Sequence, residues 1–350
     1  MKRKIIFLGL ILSAFSIQIL AQNKPKIFRG SIADKTVQMN LTRDGNKITG
    51  EYFYQKVGKN LKLSGSIDAS GNFRIAEFAP AGAKTGEFRG VWKESENDSG
   101  ATLEGEWTNA KTKQKWAFYA TEQTIEFSGD AKLMTKTFSE TNKPKMFEIT
   151  AEYPELTGAN PSAAAKFNAI VKDKVMKTVD SFRKNMSEMT IEDLQFAKER
   201  GVSNYLELNY VIELATDEII SIGFANSVYS GGAHPNHFSF SVNFDLKNGR
   251  EIKLEELFKS GSDYLKKISE YCIEKLKNEV GDMSGDEWLE NGAGARAENF
   301  ESWNVKRKGI LINFDPYQVA AYAAGPQEVF IPFAELKTVL KNGSPISKFK

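Results

Sequence analysis

The sequence predicts an α+β protein in two parts: an N-terminal antiparallel β meander or small barrel, then a C-terminal antiparallel sheet with helices packed on one face. Three observations predict it. Residues 27 to about 121 carry a recurring glycine cassette and no helical periodicity. The stretch from Ser162 to Met186 places its apolar residues on one helical face. Beyond Gly201 the apolar period falls to two, the signature of strands.

The first 21 residues are read apart from the fold. Lys2-Arg3-Lys4 precede the apolar run Ile5 to Leu20, and Ala21 supplies a small residue at a cleavage point. That layout is a secretory signal, and a run broken by Ser13, Ser16 and Gln18 is short for a membrane span. No Cys lies near the cleavage point, so no lipid anchor is expected, and no later stretch reads as a membrane helix. The expected organisation is a signal peptide at 1–21, a β-rich module at 22–124, a linker at 125–145 and an α+β module at 146–350. The expected location is the periplasm or the exterior.

Charge follows from the same division. The chain has 47 Lys and Arg against 45 Asp and Glu, and the signal holds three of the basic residues. The remainder carries 44 basic and 45 acidic side chains, so no nucleic-acid partner is expected. One cysteine, Cys272, rules out an internal disulfide framework. It falls on the apolar stripe of a predicted helix, where a thiol behaves as a small buried hydrophobe.

In the β-rich module the cassettes are Thr49-Gly50-Glu51-Tyr52, Ser64-Gly65-Ser66-Ile67, Thr85-Gly86-Glu87-Phe88 and Glu104-Gly105-Glu106-Trp107. Turn signals such as Arg43-Asp44-Gly45-Asn46 and Asp68-Ala69-Ser70-Gly71 separate them. Glycine inside successive strands lets a sheet curl where a Cβ would crowd its neighbour. Tyr52, Phe53, Tyr54, Phe88, Trp92, Trp107, Trp116, Phe118 and Tyr119 read first as core, and second as the lining of a cavity for a small apolar ligand.

The second module opens with a strand, Phe147 to Tyr153, followed by the helix, with Phe167, Ile170, Val171, Val175, Val179, Phe182 and Met186 on its apolar face. Thr190-Ile191-Glu192-Asp193 resembles a capping box for a short helix that Gly201 ends. Leu206 to Leu214, Ile220 to Phe224 and Phe238 to Leu246 then alternate as consecutive antiparallel strands. In the last of these Ser239, Ser241, Asn243 and Asp245 predict a solvated face. A second helix spans about Ser262 to Val280, and residues 281–299 read as an acidic, Gly-rich loop carrying Trp288. Strands Ile310 to Phe314 and Val329 to Ile331 and a helix at Phe333 to Leu340 close the chain.

A run of motifs points to a known group of proteins. Tyr229-Ser230-Gly231-Gly232-Ala233-His234-Pro235-Asn236, then Asn243-Phe244-Asp245-Leu246, Gly249 and Leu254 to Phe258, resemble the extracellular domain shared by RsiV-like and PdaC-type envelope proteins. Phe147-Glu148-Ile149 and the long helix resemble the companion domain that precedes it. Phe314-Asp315-Pro316-Tyr317-Gln318 and Val329-Phe330-Ile331-Pro332 fit the ending, so the resemblance covers about 140–342. It implies an envelope recognition module for a lysozyme-like protein or for peptidoglycan. The catalytic domain of PdaC-type deacetylases needs a His-x-x-x-His metal pair. The only histidines here are His234 and His237, so that domain is absent from the reading and no metal or other cofactor is implied.

The candidate binding loop is Tyr229, Gly231, Gly232, His234 and Asn236, supported by Asp245, Asp315 and Tyr317. Gly231-Gly232 permits positive φ and close approach of another backbone. The alternative is a cell-wall hydrolase with His234 as base and Ser230 or Asp245 completing the arrangement. Tyr317 reads as a corner residue with its hydroxyl tied to backbone.

Overall fold

The structure is a computed structural model that describes residues 25–349 apart from 34, 55–58, 95–99, 200 and 202. The expected signal peptide lies outside the described residues.

Eight strands close an antiparallel barrel: β1 (Lys26–Ile32), β2 (Lys35–Asp44), β3 (Lys47–Tyr54), β4 (Leu61–Ile67), β5 (Asn72–Phe78), β6 (Lys84–Lys93), β7 (Thr102–Asn109) and β8 (Lys115–Gln123). β8 returns to pair with β1, which leaves no sheet edge open. The glycine cassettes fall in β3, β4, β6 and β7. A Cβ on Gly65 would stand 2.1 Å from the carbonyl oxygen of Arg74, and one on Gly105 equally close to that of Arg89. Only glycine lets these neighbouring strands approach so closely while the sheet curls.

The barrel interior is filled rather than hollow. Phe28 meets Trp92 edge-on with centroids 5.0 Å apart, and Phe88 packs on Phe118 at 5.0 Å and on Tyr52 at 5.4 Å. Buried Glu77 joins this core, accepting hydrogen bonds from the Tyr52 hydroxyl and, at 2.6 Å, from Trp107 Nε1. Burial, and Glu77 beside it, push the Tyr52 hydroxyl far above its ordinary titration range. Lys62, Arg74 and Arg89 lie on the exposed outer surface, the inverse of a lipid-facing barrel.

The second sheet has seven strands: β9 (Ile125–Glu126), β10 (Lys132–Asn142), β11 (Phe147–Thr157), β12 (Asn204–Thr216), β13 (Ile219–Tyr229), β14 (Asn236–Asp245) and β15 (Arg250–Glu251). β9 and β10 occupy the residues expected as linker. No side chain of the edge strand β10 is fully buried, so it needs no apolar alternation and leaves little signal in the sequence. Pairing is antiparallel except where β12 meets β11 and β9. The parallel β11–β12 connection runs through α1 (Pro161–Ser187) and α2 (Ile191–Glu199), as a parallel crossover requires. Asn160 caps α1, accepting from Ser162 N at 3.0 Å. Its apolar face, Phe167 to Met186, packs on Ile149, Leu206, Leu208 and Phe244. Thr190 and Asp193 exchange reciprocal bonds at the start of α2, as the sequence predicts.

The remaining strands form a separate three-stranded sheet: β16 (Trp303–Val305), β17 (Gly309–Phe314) and β18 (Gln327–Pro332). It shares a core with α3 (Tyr264–Val280), where Ile268, Cys272 and Leu276 meet Ile310, Ile312 and Ile331, and to which the large sheet adds Leu214 and Ile219. Burial pushes the Cys272 thiol well above its usual range, so it is no nucleophile near neutral pH. Residues 286–293, expected as loop, form α4 (Asp286–Ala293), with two carboxylates in its first turn and Leu289 and Ala293 buried. The final helix, α5 (Phe333–Leu336), is shorter than predicted.

Three of the four residues on the predicted wet face of β14 are dry, and the fourth, Ser239, is half-buried. Ser241, Asn243 and Asp245 are buried, and β16 lies over the first two. Ser221 Oγ donates to Asn243 Oδ1 at 2.7 Å and accepts from Asn304 Nδ2 at 3.0 Å and Val305 N at 2.9 Å. Polar side chains can be buried when they satisfy one another in this way. Phe238, expected as core, is 51% exposed at the far end of the same strand.

Barrel and large sheet meet through Gln123 of β8, whose Oε1 accepts from Ile212 N at 2.7 Å, and through Arg29 of β1. Its guanidinium is ion-paired with buried Glu152, lies 4.0 Å from the Tyr210 ring centroid and donates from Nε to the Tyr210 carbonyl at 3.0 Å.

Candidate functional site

A groove of about 1080 Å³ runs between the two sheets. Ser239, Phe240 and Ser241 of β14 and Trp303 of β16 line it on the sheet side. Trp288 and Asn291 of α4, the turn Asp315 to Gln318 and Tyr264 of α3 complete it. Gln318 ties the turn to α4 and the residues after it, its Nε2 donating to the carbonyls of Gly292 at 3.0 Å and Asn299 at 3.1 Å.

Asp315 is the best-anchored acid of the groove. Its Oδ1 accepts from Ser239 N at 2.8 Å and Ser239 Oγ at 2.6 Å, which fixes the carboxylate across the sheet junction. Burial raises its pKa, and the two Ser239 bonds oppose that rise without cancelling it. Ser239 Oγ contacts Ser302 Oγ at 3.1 Å, and Asn313 Nδ2 reaches Asn304 Oδ1 at 3.1 Å. Asp315 thus sits at one end of the polar layer that holds the two sheets together.

At the rim the aromatic side chains run in a strip. Trp288 Nε1 donates to the Tyr317 carbonyl at 2.8 Å, so the carbonyl, rather than the predicted hydroxyl, makes this tie. Tyr317 has a φ of 70° and is 53% exposed. A non-glycine residue held in the left-handed region is strained, and such strain gathers at functional places. Its ring lies 5.4 Å from Tyr322, which stacks on His234 at 3.8 Å. The Tyr322 hydroxyl donates to the Pro235 carbonyl at 2.7 Å, and His234 Nδ1 lies 2.9 Å from the same oxygen.

The predicted site residues therefore divide. Asp315 and Tyr317 line the groove, and His234 stands at the end of the strip leading away from it. Tyr229 donates to the Gly232 carbonyl at 3.1 Å and closes its own loop, with Asn236 exposed at the start of β14. Gly231 and Gly232 adopt φ of 95° and 102°, but a Cβ on either would meet nothing within 4 Å. They serve the turn, not the expected close approach. Asp245 does not join the site. It lies at the other end of β14, roughly 30 Å from Asn236 at the usual strand rise, and its carboxylate binds Asn248 N at 2.9 Å and Asn248 Nδ2 at 2.6 Å. Asp245 caps a turn, so the hydrolytic pairing with His234 is not formed. Ser239, Asn291 and Tyr264 were not singled out by the sequence; Trp288 was, as an aromatic stranded in a polar segment.

Comparison with known proteins fits this layout. Residues 140–237 match a family model described as deacetylase PdaC, and residues 255–334 match one described as a protein of unknown function, DUF3298. The chain thus carries a PdaC-like segment followed by a DUF3298 segment; Ser239 falls between the two matches. Peptidoglycan-N-acetylmuramic acid deacetylase PdaC of Bacillus subtilis is 28% identical over 57% of this chain and 40% of its own length. Immunogenic protein MPT64 of Mycobacterium tuberculosis is 22% identical over 32% of this chain and 47% of its own. The chain therefore spans less than half the length of these curated relatives. A crystal structure of a DUF3298 family member from Bacteroides fragilis is similar at a TM-score of 0.44 and 21% identity, covering 64% of this chain and 98% of that one. A DUF3298 family protein from Pseudomonas aeruginosa gives 0.41 and 12%, over 61% and 94%.

Proposed function

We propose that the protein is an exported, non-catalytic recognition module of the cell envelope whose groove binds a glycan of the peptidoglycan class. The observation that carries this reading is the groove itself, about 1080 Å³, with Trp288 and Tyr264 beside amide, hydroxyl and carboxylate side chains. Sugars offer an apolar face that stacks on aromatic rings and hydroxyls that bond to Asn, Ser and Asp. The similarity to a peptidoglycan deacetylase over less than half of that protein supports a cell-wall setting, and Lys2-Arg3-Lys4 with the apolar run after them supports export.

The hydrolase alternative is the less favoured one, because His234 is stacked on Tyr322 and far from Asp245. The filled barrel likewise weighs against an apolar ligand there. The RsiV-like resemblance favours a protein such as lysozyme as the competing occupant.

The test is sedimentation of the full chain with insoluble peptidoglycan, reading bound protein and released fragments. Wild type is expected to co-sediment without releasing fragments, and Trp288→Ala to bind about tenfold more weakly. Capture by immobilised lysozyme with no peptidoglycan binding would replace the glycan with a protein partner. Fragments that disappear in His234→Ala would make the protein an enzyme.

A further inference from the structure

We infer that the groove selects glycan segments bearing free amines over fully N-acetylated ones, with Asp315 as the counter-ion. The inference rests on the glycan reading and adds its charge selectivity. Five carboxylates line the groove, Glu251, Glu255, Glu298, Glu301 and Asp315, against the two lysines Lys174 and Lys253. Lys174 is engaged by Glu251 at 2.7 Å. Arg296, outside the lining, stands 3.6 Å from Glu298 and offsets it in part. Glu255, Glu301 and Asp315 have no cationic partner among the described residues.

Asp315 is the strongest of these three for recognition. Both Ser239 bonds fall on Oδ1, which orients the carboxylate and leaves Oδ2 as an acceptor. Partial burial strengthens any charge that meets it, and the Trp288 and Tyr317 rings beside it favour a cation over their faces. An N-acetylated strand brings neutral acetamides, and its muramic lactyl groups bring further negative charge into an acidic groove. A free amine, protonated near neutral pH, supplies the missing sign and donates to Asp315.

The experiment is calorimetric titration of the full chain with glucosamine and N-acetylglucosamine oligomers of equal length, at about pH 6 and physiological ionic strength so that loose surface attraction is screened. The glucosamine oligomer is expected to bind about tenfold more tightly. Asp315→Asn should remove most of that preference, weakening the glucosamine oligomer far more than the acetylated one. Glu301→Gln, at an exposed position that does not endanger the fold, should reduce the preference about twofold. Equal affinities, or tighter binding of the acetylated oligomer, would overturn the selectivity and leave the glycan reading standing. Binding of neither oligomer would overturn both. Oligolysine binding as tightly as the glucosamine oligomer would make the groove a general cation surface and sink the assignment to amino sugars.

Discussion

The barrel and the groove are built from similar materials to opposite ends. Both gather tryptophans, tyrosines and a part-buried or buried acid. In the barrel the rings pack edge to face, and Glu77 takes its hydrogen bonds from Tyr52 and Trp107 of the same core. In the groove Trp288 and Tyr317 lie at a rim, and Asp315 is held by Ser239 beside open volume. Aromatic abundance therefore does not locate a binding site. The candidate site lies where the two sheets diverge, leaving polar groups satisfied along the seam and accessible at its end.

The contrast can be broken or sharpened by substitution, and the largest effects belong to the barrel side. Arg29→Met should destabilise the protein by roughly 3–5 kcal/mol, because it leaves Glu152 buried without its partner. Scanning calorimetry should show the lowered transition, and an undisturbed one would mean that the Gln123–Ile212 contact suffices to hold barrel and sheet together. Phe88→Ala should cost about 3–5 kcal/mol by opening a cavity among Tyr52, Trp107 and Phe118. If the native fraction of that variant lost peptidoglycan retention, the barrel would share the site and the contrast would fail.

A smaller effect concerns acid stability. Burial alone would raise the pKa of Glu87, but hydrogen bonds from Lys84, Arg74 and Arg89 outweigh it and bring it down to about 2. A depressed carboxylate pKa stabilises the fold above the unfolded value, near 4.5, and that stability is lost as pH falls toward about 2. The three cations are largely exposed, so the contribution is modest. Denaturant titrations of Glu87→Gln should show a shallower loss of stability than wild type across that window; identical curves would remove Glu87 as a cause. The smallest change is expected for His234→Ala, about 1 kcal/mol or less from lost stacking on Tyr322. Unchanged glycan retention in that variant would end the site at Tyr317, and a clear loss would extend it along the strip to His234.

Elements with strong periodicity are legible in the sequence. The α1 face from Phe167 to Met186, the Thr190–Asp193 cap and the glycine cassettes all lie where the sequence puts them. β10 was missed because an edge strand with no fully buried side chain carries no apolar rhythm. α4 was missed because a helix of eight residues gives little more than two turns in which to show a face. Asp315 and Tyr317 were named from their motif, while Ser239, which orients Asp315 from 76 residues away, was read as ordinary strand polarity.

By itself the sequence determined which local structures form, since turn chemistry, capping and period act between near neighbours along the chain. It also determined that the barrel strands must curl, because the cassette glycines leave no Cβ to hold them apart. Only the tertiary structure decided that Ser241 and Asn243 face another sheet rather than water, because a polar side chain looks the same in sequence whether water or a distant asparagine satisfies it. The groove follows from that decision: it exists where β14 and the small sheet stop covering one another.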